Sequence, residues 1–418
     1  MGRRSDSGGR CRACGHPAPS EVLDLGSHPE ANSFPSLDDL ANEPRWPLRV
    51  FVCEQCWLMQ LDSSGPEEAT LPGPPPYELS RTMRRHAIEF VDDVLARMPP
   101  SPAAGRRVME LASHGAYLQP FLAERGVESV IIEGSAAMAA DAAARGYRVL
   151  GRQFGETAAN EIVTEAGPAD VVIDNYLLAH VSDPDDFAAG LVRLLRPGGI
   201  GVLELDHLLP LIGDHRFDSI RHGHFSYFGL IAARDLLGRH GVAVVDVARQ
   251  SVYGGALRIV VAHAGASAPV PTPSVEELIQ VERMAGLDGL AAFHAFAGGV
   301  GNVRSGLRDF LASKHAEGET VVGYGAPSRG NTLLNAAGIT PDLLAYTVDR
   351  SPLKHGRFLP GSHVPIHAPE RIFETRPEFV LILTWDIQRE VMTQMSDIGA
   401  WGGRFVVPIP ELTVLPAA

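Results

Sequence analysis

Arg107-Val-Met-Glu-Leu-Ala-Ser-His-Gly-Ala-Tyr117 is a short β-like run that reaches an acid and then enters a turn of small residues. A strand, a small-residue turn and a helix in that order bring backbone N–H groups close to a bound ligand. Ala112 and Ala116 stand where a G-x-x-x-G-like turn would want glycine, so the glycine signal is weak. An ordinary strand–turn–helix corner would carry the same letters. The surroundings weigh between the two. Further β runs follow at Ser129–Ile132, Tyr147–Leu150, Asp170–Ile173, Ile200–Leu205 and Val242–Val247. Segments of helical composition, such as Ala136–Arg145 and Asp185–Leu195, lie between them. That alternation predicts a doubly wound parallel sheet over 107–265. Glu133 ends the second strand and Asp174-Asn175 the fourth, so with Glu110 they converge on one crevice at the carboxyl edge. An acid in the position of Glu133 commonly takes two ribose hydroxyls.

A second alternation starts near Thr320, with strands expected at Thr320–Tyr324, Ala345–Val348, Phe379–Leu383 and Arg404–Val407 and a helix at Gly330–Ala337. Ser274–Lys314 reads as a connecting helix or helix pair, and Tyr77–Met98 as a helix with one apolar face. The Pro/Gly-rich stretch at 65–76 can continue neither helix nor sheet. The expected organisation is therefore a small domain over 1–72, an α/β domain over 73–268, and connecting helices with a Rossmann-like domain over 269–418.

The composition narrows the functional classes. A net charge of −14 over 418 residues argues against a general nucleic-acid surface, and no run reaches the length of a membrane span. The basic first residues lack the apolar core of a signal peptide, so a cytoplasmic location is expected. All four cysteines fall early, as Cys11-Arg-Ala-Cys14 and Cys53-Glu-Gln-Cys56. Two such knuckles can place four thiolates on one tetrahedral zinc ion, closing the site and making the metal structural. Reduced thiols or two disulfides are the alternatives, the latter disfavoured in a cytosolic setting.

Phe217-Asp-Ser-Ile-Arg-His-Gly-His-Phe-Ser-Tyr-Phe228 sets His222 and His224 in an aromatic frame. Histidine titrates nearest neutral pH, so the pair is a candidate for proton transfer. A loop packed under a helix, with both rings hydrogen-bonded and inert, would read the same way.

With these segments in view, nearly the whole chain resembles the three-part C-methyltransferases that act on nucleotide-linked ketodeoxysugars in antibiotic biosynthesis. The zinc-domain motifs are Cys11–Gly15, Val22–Gly26, Pro29-Glu-Ala-Asn-Ser-Phe34, Pro47-Leu48 and Cys53 to Leu61. The central motifs are Glu133-Gly-Ser135 and Asn175-Tyr-Leu-Leu-Ala-His-Val181. The third part carries Gly323-Tyr-Gly-Ala-Pro-Ser-Arg-Gly-Asn-Thr-Leu-Leu-Asn335, Lys354-His-Gly-Arg-Phe-Leu-Pro-Gly361 and Val406-Val-Pro-Ile-Pro410.

The resemblance implies an S-adenosylmethionine donor, a zinc ion and a small-molecule substrate; the charge and the lack of an apolar span point to neither nucleic acid nor membrane as partner, and the oligomeric state is left open with a monomer favoured. Donor contacts are expected from Glu110, Ala112, His114, Tyr117, Leu118, Glu133, Gly134, Ser135, Phe154, Asn175 and Leu178. Substrate contacts are expected from Asn175, Tyr227, Tyr324, Gly325, Ser328, Arg329, Asn331 and Lys354, with the Gly323–Asn331 turn cradling a nucleotide diphosphate. The catalytic set is His224, Arg221, His222, Tyr77 and His180.

The family's Y-H-E-H is here Arg221-His222-Gly223-His224, and its E-I-G-S-N-D-G donor loop is Glu110-Leu-Ala-Ser-His-Gly-Ala116. The last histidine of the cluster, the presumed base, remains. Without the neighbouring glutamate His224 should be less basic, and Arg221 takes the place of the lost tyrosine as a stabiliser of an enolate oxygen. A C-methyltransferase with a modified substrate is the first expectation. A relative that only enolises or epimerises, or a non-catalytic binding protein, is the alternative.

Overall fold

The computed structural model describes residues 9–17, 19–62, 80–98, 106–112, 116–266 and 268–416. Tyr77 and His114, expected at the site, lie outside them. The first sheet is an antiparallel meander of β1 (Ser20–His28), β2 (Trp46–Val52) and β3 (Met59–Leu61).

Helix α1 (Arg81–Arg97) starts at Ser80, whose hydroxyl accepts the Met83 N–H, and buries Phe90, Val91 and Val94 on one face. The chain then alternates through β4 (Val108–Leu111), α2 (Gln119–Glu124), β5 (Ser129–Ile132), α3 (Ala136–Ala144), β6 (Arg148–Leu150), α4 (Glu156–Ala166) and β7 (Ala169–Asn175). Next come α5 (Leu177–His180), α6 (Pro184–Leu194), β8 (Leu195–Asp206) and α7 (Leu208–Gly213). β9 (Ser226–Tyr227), α8 (Leu230–Arg239), β10 (Val242–Gln250) and β11 (Ala256–His263) complete this part.

The central sheet has the order β10-β11-β8-β7-β4-β5-β6. Five of its strands are parallel, as expected, but β11 runs antiparallel to β8 and β10 antiparallel to β11. The sheet is therefore mixed. β11 was absent from the expected set because the turn before it is unusual: Tyr253 takes φ 52, ahead of two positive-φ glycines, and folds the chain back into a hairpin. β7 is buried at every position, the mark of a strand covered on both faces.

Two helices follow, α9 (Pro273–Met284) and α10 (Leu290–Ala316), resolving the connection as a pair. The last sheet is β14-β13-β12-β15-β16-β17, built from β12 (Val321–Tyr324), β13 (Thr347–Val348), β14 (Ile366–His367), β15 (Phe379–Ile382), β16 (Arg404–Val407) and β17 (Thr413–Pro416). α11 (Ser328–Ala337) follows β12. Among the described residues no helix is long and apolar enough to cross a membrane.

The expected three-part division is crossed by shared structure. β9 adds to the first sheet, with Met59 opposite Tyr227 and Gln60 opposite Ser226. One apolar core runs from Leu48 and Val50 through Phe217 and Ile220 to Phe293, Phe296, Val322 and Leu333, joining the first and last sheets. The motif segments lock together there. The Asn331 amide donates to Ala31 O (2.6 Å), Arg357 to Phe34 O (3.0 Å), and Glu43 accepts the Gly361 N–H (2.9 Å). From the last part, Glu390 caps α1 by accepting the Arg81 and Thr82 N–H groups, both at 3.1 Å.

Candidate active site and metal centre

The four thiols of the two knuckles come together, their sulfurs all within 4.8 Å of one another. Cys11–Cys56 and Cys14–Cys53 sulfurs are each 3.5 Å apart. A tetrahedral ion with Zn–S bonds of about 2.3 Å needs sulfur separations of roughly 3.8 Å, so the donor set fits zinc. The knuckles turn alike. Gly15 N–H donates to Cys11 O and Trp57 N–H to Cys53 O, with φ of 70° and 62° at the two donors. These four residues would hold the ion, with no fifth donor needed.

On the central sheet, β4, β5, β7 and β8 end side by side, so the acids that close them share one edge. Glu133 is buried, and its Oε1 accepts the Ser135 N–H at 2.9 Å. Ser135 in turn caps α3, accepting the Met138 N–H, so Gly134 and Ser135 set the acid's position. Glu110 is fully buried against the Gln119 amide, and burial pushes its carboxyl up to about 8. Ala112 and Ala116 take φ of 43° and 62°, the left-handed region that glycine enters without cost. These two positions keep a glycine-like backbone with methyl groups on it.

Asn175 is buried at the end of β7, with its Oδ1 unpartnered among the described residues. Asp174 is spent on α5, accepting the Leu177 and Leu178 N–H groups at 2.7 and 3.2 Å. Of the other expected donor contacts, Leu118 and Leu178 are fully covered core side chains. Phe154 packs edge-on against Phe187, and the Tyr117 hydroxyl donates to Met83 O (3.0 Å). If Glu133 holds ribose hydroxyls, Glu133→Ala weakens S-adenosylhomocysteine binding by about 1–3 kcal/mol, read by calorimetry; unchanged affinity rejects that role.

His224 lies at the end of β8, where its Nε2 is 3.3 Å from Asp206 Oδ2. The ring is buried, stacked on Tyr227 (centroids 4.4 Å) and edge-on to His180 (4.8 Å). His180 is tied by Nδ1 to Gly223 O at 2.9 Å. Burial pushes His224 down to about 4, against the pull of Asp206. Asp206 is held below the usual carboxylate range: burial alone would raise it, but His224 and the Arg329 and Arg221 charges outweigh that cost. Glu282 of α9 steadies this strand end, bonding His207 Nε2 (2.9 Å) and the first N–H groups of α8.

His222 points elsewhere. Its Nε2 meets Pro47 O (3.0 Å) and its ring lies edge-on to Trp46, so it joins the first sheet to this loop. Gly223, with φ 81°, turns the backbone between the two histidines. Arg221 is near enough to bear on the charge of Asp206.

Two N–H groups of the expected diphosphate cradle are already engaged. The Gly325 N–H is taken by Val348 O and the Ala326 N–H by Asp349, so neither is available to an anion. Lys354 is held by Ala326 O (2.8 Å) and Asp349 (3.3 Å), Tyr324 by Gln394, and Asn331 ties the first and last parts. Ser328 is the first residue of α11. Arg329 instead reaches the central crevice, where Nη1 donates to Tyr253 O (2.8 Å) and Nη2 lies 3.8 Å from Asp206 Oδ1.

Sequence reasoning missed Asp206, Tyr176, Tyr253 and Arg216. Asp206 was findable as one more acid closing a strand of the parallel edge. Tyr176 (φ 72°) stacks edge-on against Tyr253 (5.4 Å), and Arg216 donates to the Tyr253 and Gly254 carbonyls.

The comparisons agree with this layout. Residues 11–70 match a zinc binding domain, 83–247 a methyltransferase domain and 251–410 a C-methyltransferase C-terminal domain. The C-methyltransferase NovU of Streptomyces niveus is 34% identical over 411 residues, 97% of each chain. An uncharacterized methyltransferase of Mycobacterium sp. (strain JLS) is 28% identical over 42% of this chain and 65% of its own length. The solved glycopeptide N-methyltransferase MtfA is 15% identical, with a TM-score of 0.33 over 42% of this chain and 90% of that one, too slight a likeness to build on. With one relative similar from end to end and three domain models matched in order, the chain belongs to the zinc-domain C-methyltransferase family and is an S-adenosylmethionine-dependent methyltransferase.

Proposed function

We propose that the chain methylates a carbon next to the ketone of a nucleotide-linked keto-deoxysugar, in secondary-metabolite biosynthesis, with His224 as the base. The observation that carries the reading is the buried His224 ring beside Asp206, at the same sheet edge as Glu133 and Asn175. Bound S-adenosylmethionine supplies an electrophilic methyl group there and leaves as S-adenosylhomocysteine.

His224, neutral at working pH, takes the proton α to the ketone, and the C–H electron pair becomes the enolate that attacks the methyl carbon. Arg221 offsets the charge that grows on the enolate oxygen. Glu133 holds the donor's ribose, and Asn175 lines the crevice between donor and sugar. Resemblance to NovU, a C-methyltransferase by name, supports the carbon acceptor. The sugar is the finer part of the proposal and rests on the motifs alone.

The test is a mass-spectrometric assay of purified protein with S-adenosylmethionine and a panel of 4-keto sugar nucleotides. One methyl bonded to carbon in the product is the expected result. Deuterium wash-in at the α carbon without any methyl transfer would instead favour a relative that only enolises, for which the left-handed backbone at Ala112 and Ala116 supplies a reason.

A further inference from the structure

The two ring nitrogens of His224 have different surroundings. Nε2 lies 3.3 Å from Asp206 Oδ2. Neither nitrogen of the buried ring meets hydrogen-bond geometry among the described residues, but only Nε2 has a carboxylate within ion-pair reach, and Nδ1 faces none. An ionised carboxylate can only accept, so the proton of the neutral ring belongs on Nε2 and the lone pair on Nδ1. A buried acceptor left empty costs on the order of 1–3 kcal/mol, which marks Nδ1 as the atom that awaits a donor from the substrate.

Asp206 is itself held from another part of the chain. Arg329, at the start of α11, sets Nη2 3.8 Å from Asp206 Oδ1, and its other arm is anchored on Tyr253 O at 2.8 Å. Its guanidinium lies over the Tyr253 ring, 5.3 Å from the centroid. The groups that bear on His224 are thus Asp206 from β8, His180 from α5, Arg221 from its own loop and Tyr227 from β9, with Arg329 of α11 behind Asp206.

We propose that Asp206 is a positioning residue that fixes the proton of His224 on Nε2 and so makes Nδ1 the base, and that Arg329 of the last part keeps Asp206 in that role. The inference rests on His224 being the base of the proposed reaction. In the step itself the substrate C–H proton moves to Nδ1 and its electron pair stays on carbon as the enolate. The imidazolium, protonated on both nitrogens, is then paired with Asp206 until Nδ1 returns its proton to solvent. Docking of α11 against the central sheet would therefore set the strength of the base.

The first test needs no activity. Nitrogen NMR of the zinc-loaded full chain, labelled with 15N-histidine, is recorded at pH 7, and the His224 signals are assigned by their loss in His224→Gln. Nε2–H with a bare Nδ1 is expected; the opposite tautomer overturns the proposal even if the enzyme is an active methyltransferase. Failure of the keto-sugar reading leaves this measurement intact, so the two failures are distinct.

In the second test, Asp206→Asn should move the proton to Nδ1 and lower α-carbon exchange by about 10²–10⁴-fold, the scale for a base left with the wrong nitrogen protonated. Its S-adenosylhomocysteine affinity should stay within about twofold, since the change touches His224 and Arg329 and not Glu133. Arg329→Met should cost about tenfold in kcat, with Arg329→Lys recovering most of it. An unaltered tautomer and rate in Asp206→Asn would overturn the role of Asp206. Equal rates for Arg329→Met and wild type would overturn that of Arg329.

Discussion

If His224 is the base, His224→Gln is expected to lower α-carbon exchange and methyl transfer together, by about 100-fold or more, the usual scale for losing a general base. S-adenosylhomocysteine binding, measured on the same variant, stays intact. His222→Ala costs much less, because that ring bonds Pro47 O and packs on Trp46, away from the Asp206 pair. Equal losses at both histidines, or full activity without His224, would reject the assignment.

The pH profile carries its own sign. Burial holds His224 at about 4 where a free histidine sits near 6.5, so the proposed base is neutral throughout the physiological range. The rate should be flat near pH 6.5 and fall only as pH drops through about 4. Stability runs the same way. The unfolded chain binds this proton below about pH 6.5 and the folded one only near 4, so stability is full above 6.5 and declines as pH falls between the two. A limb at pH 6.5 in the rate would contradict the burial. The absent glutamate of the family cluster is not simply replaceable, since Gly223 takes φ 81° and any side chain there is strained.

Removal of zinc should have the other large effect. Metal analysis is expected to give about one zinc per chain, and less than about a tenth of that in chelator-free protein would reject the site. A structural zinc contributes on the order of 10–16 kcal/mol to the fold that holds it, so Cys53→Ser should unfold the first sheet. The damage should not stop there. Cys53 and Cys56 lead directly into β3, β3 pairs with β9, and β9 carries the Tyr227 ring that stacks on His224. Thermal unfolding and α-carbon exchange should therefore fail together in Cys53→Ser. Normal exchange alongside a melted first sheet would show the two to be independent.

Much of the fold was legible because local patterns carry it. Alternating β and helical runs gave the central sheet, whose parallel strands need both faces covered and so read as apolar runs. The cysteine spacing gave the knuckles, and their sulfurs do meet. The hairpin of β10 and β11 was not legible, since it hinges on a left-handed Tyr253 that no propensity announces. That the Leu118 and Leu178 side chains join the core was not legible either, because a residue's place beside a site does not say which way its side chain points.

By itself the sequence determined the strand and helix alternation of the central sheet, the four cysteines that meet and the family, and it singled out His224 over its neighbour as the base to test. These depend on residue type and spacing along the chain, which local backbone geometry converts directly into place. Only the tertiary structure decided what faces His224. Asp206 comes from a strand 18 residues upstream and Arg329 from a helix more than 100 residues downstream, numbers fixed by the chain itself. Their charges act through space across a buried, weakly screening interior, so the partner of a titrating group is set by packing and not by sequence neighbourhood. The same holds for Asn331, whose amide reaches Ala31 O in the first part, and for Lys354, which is held within the last part by Ala326 O and Asp349.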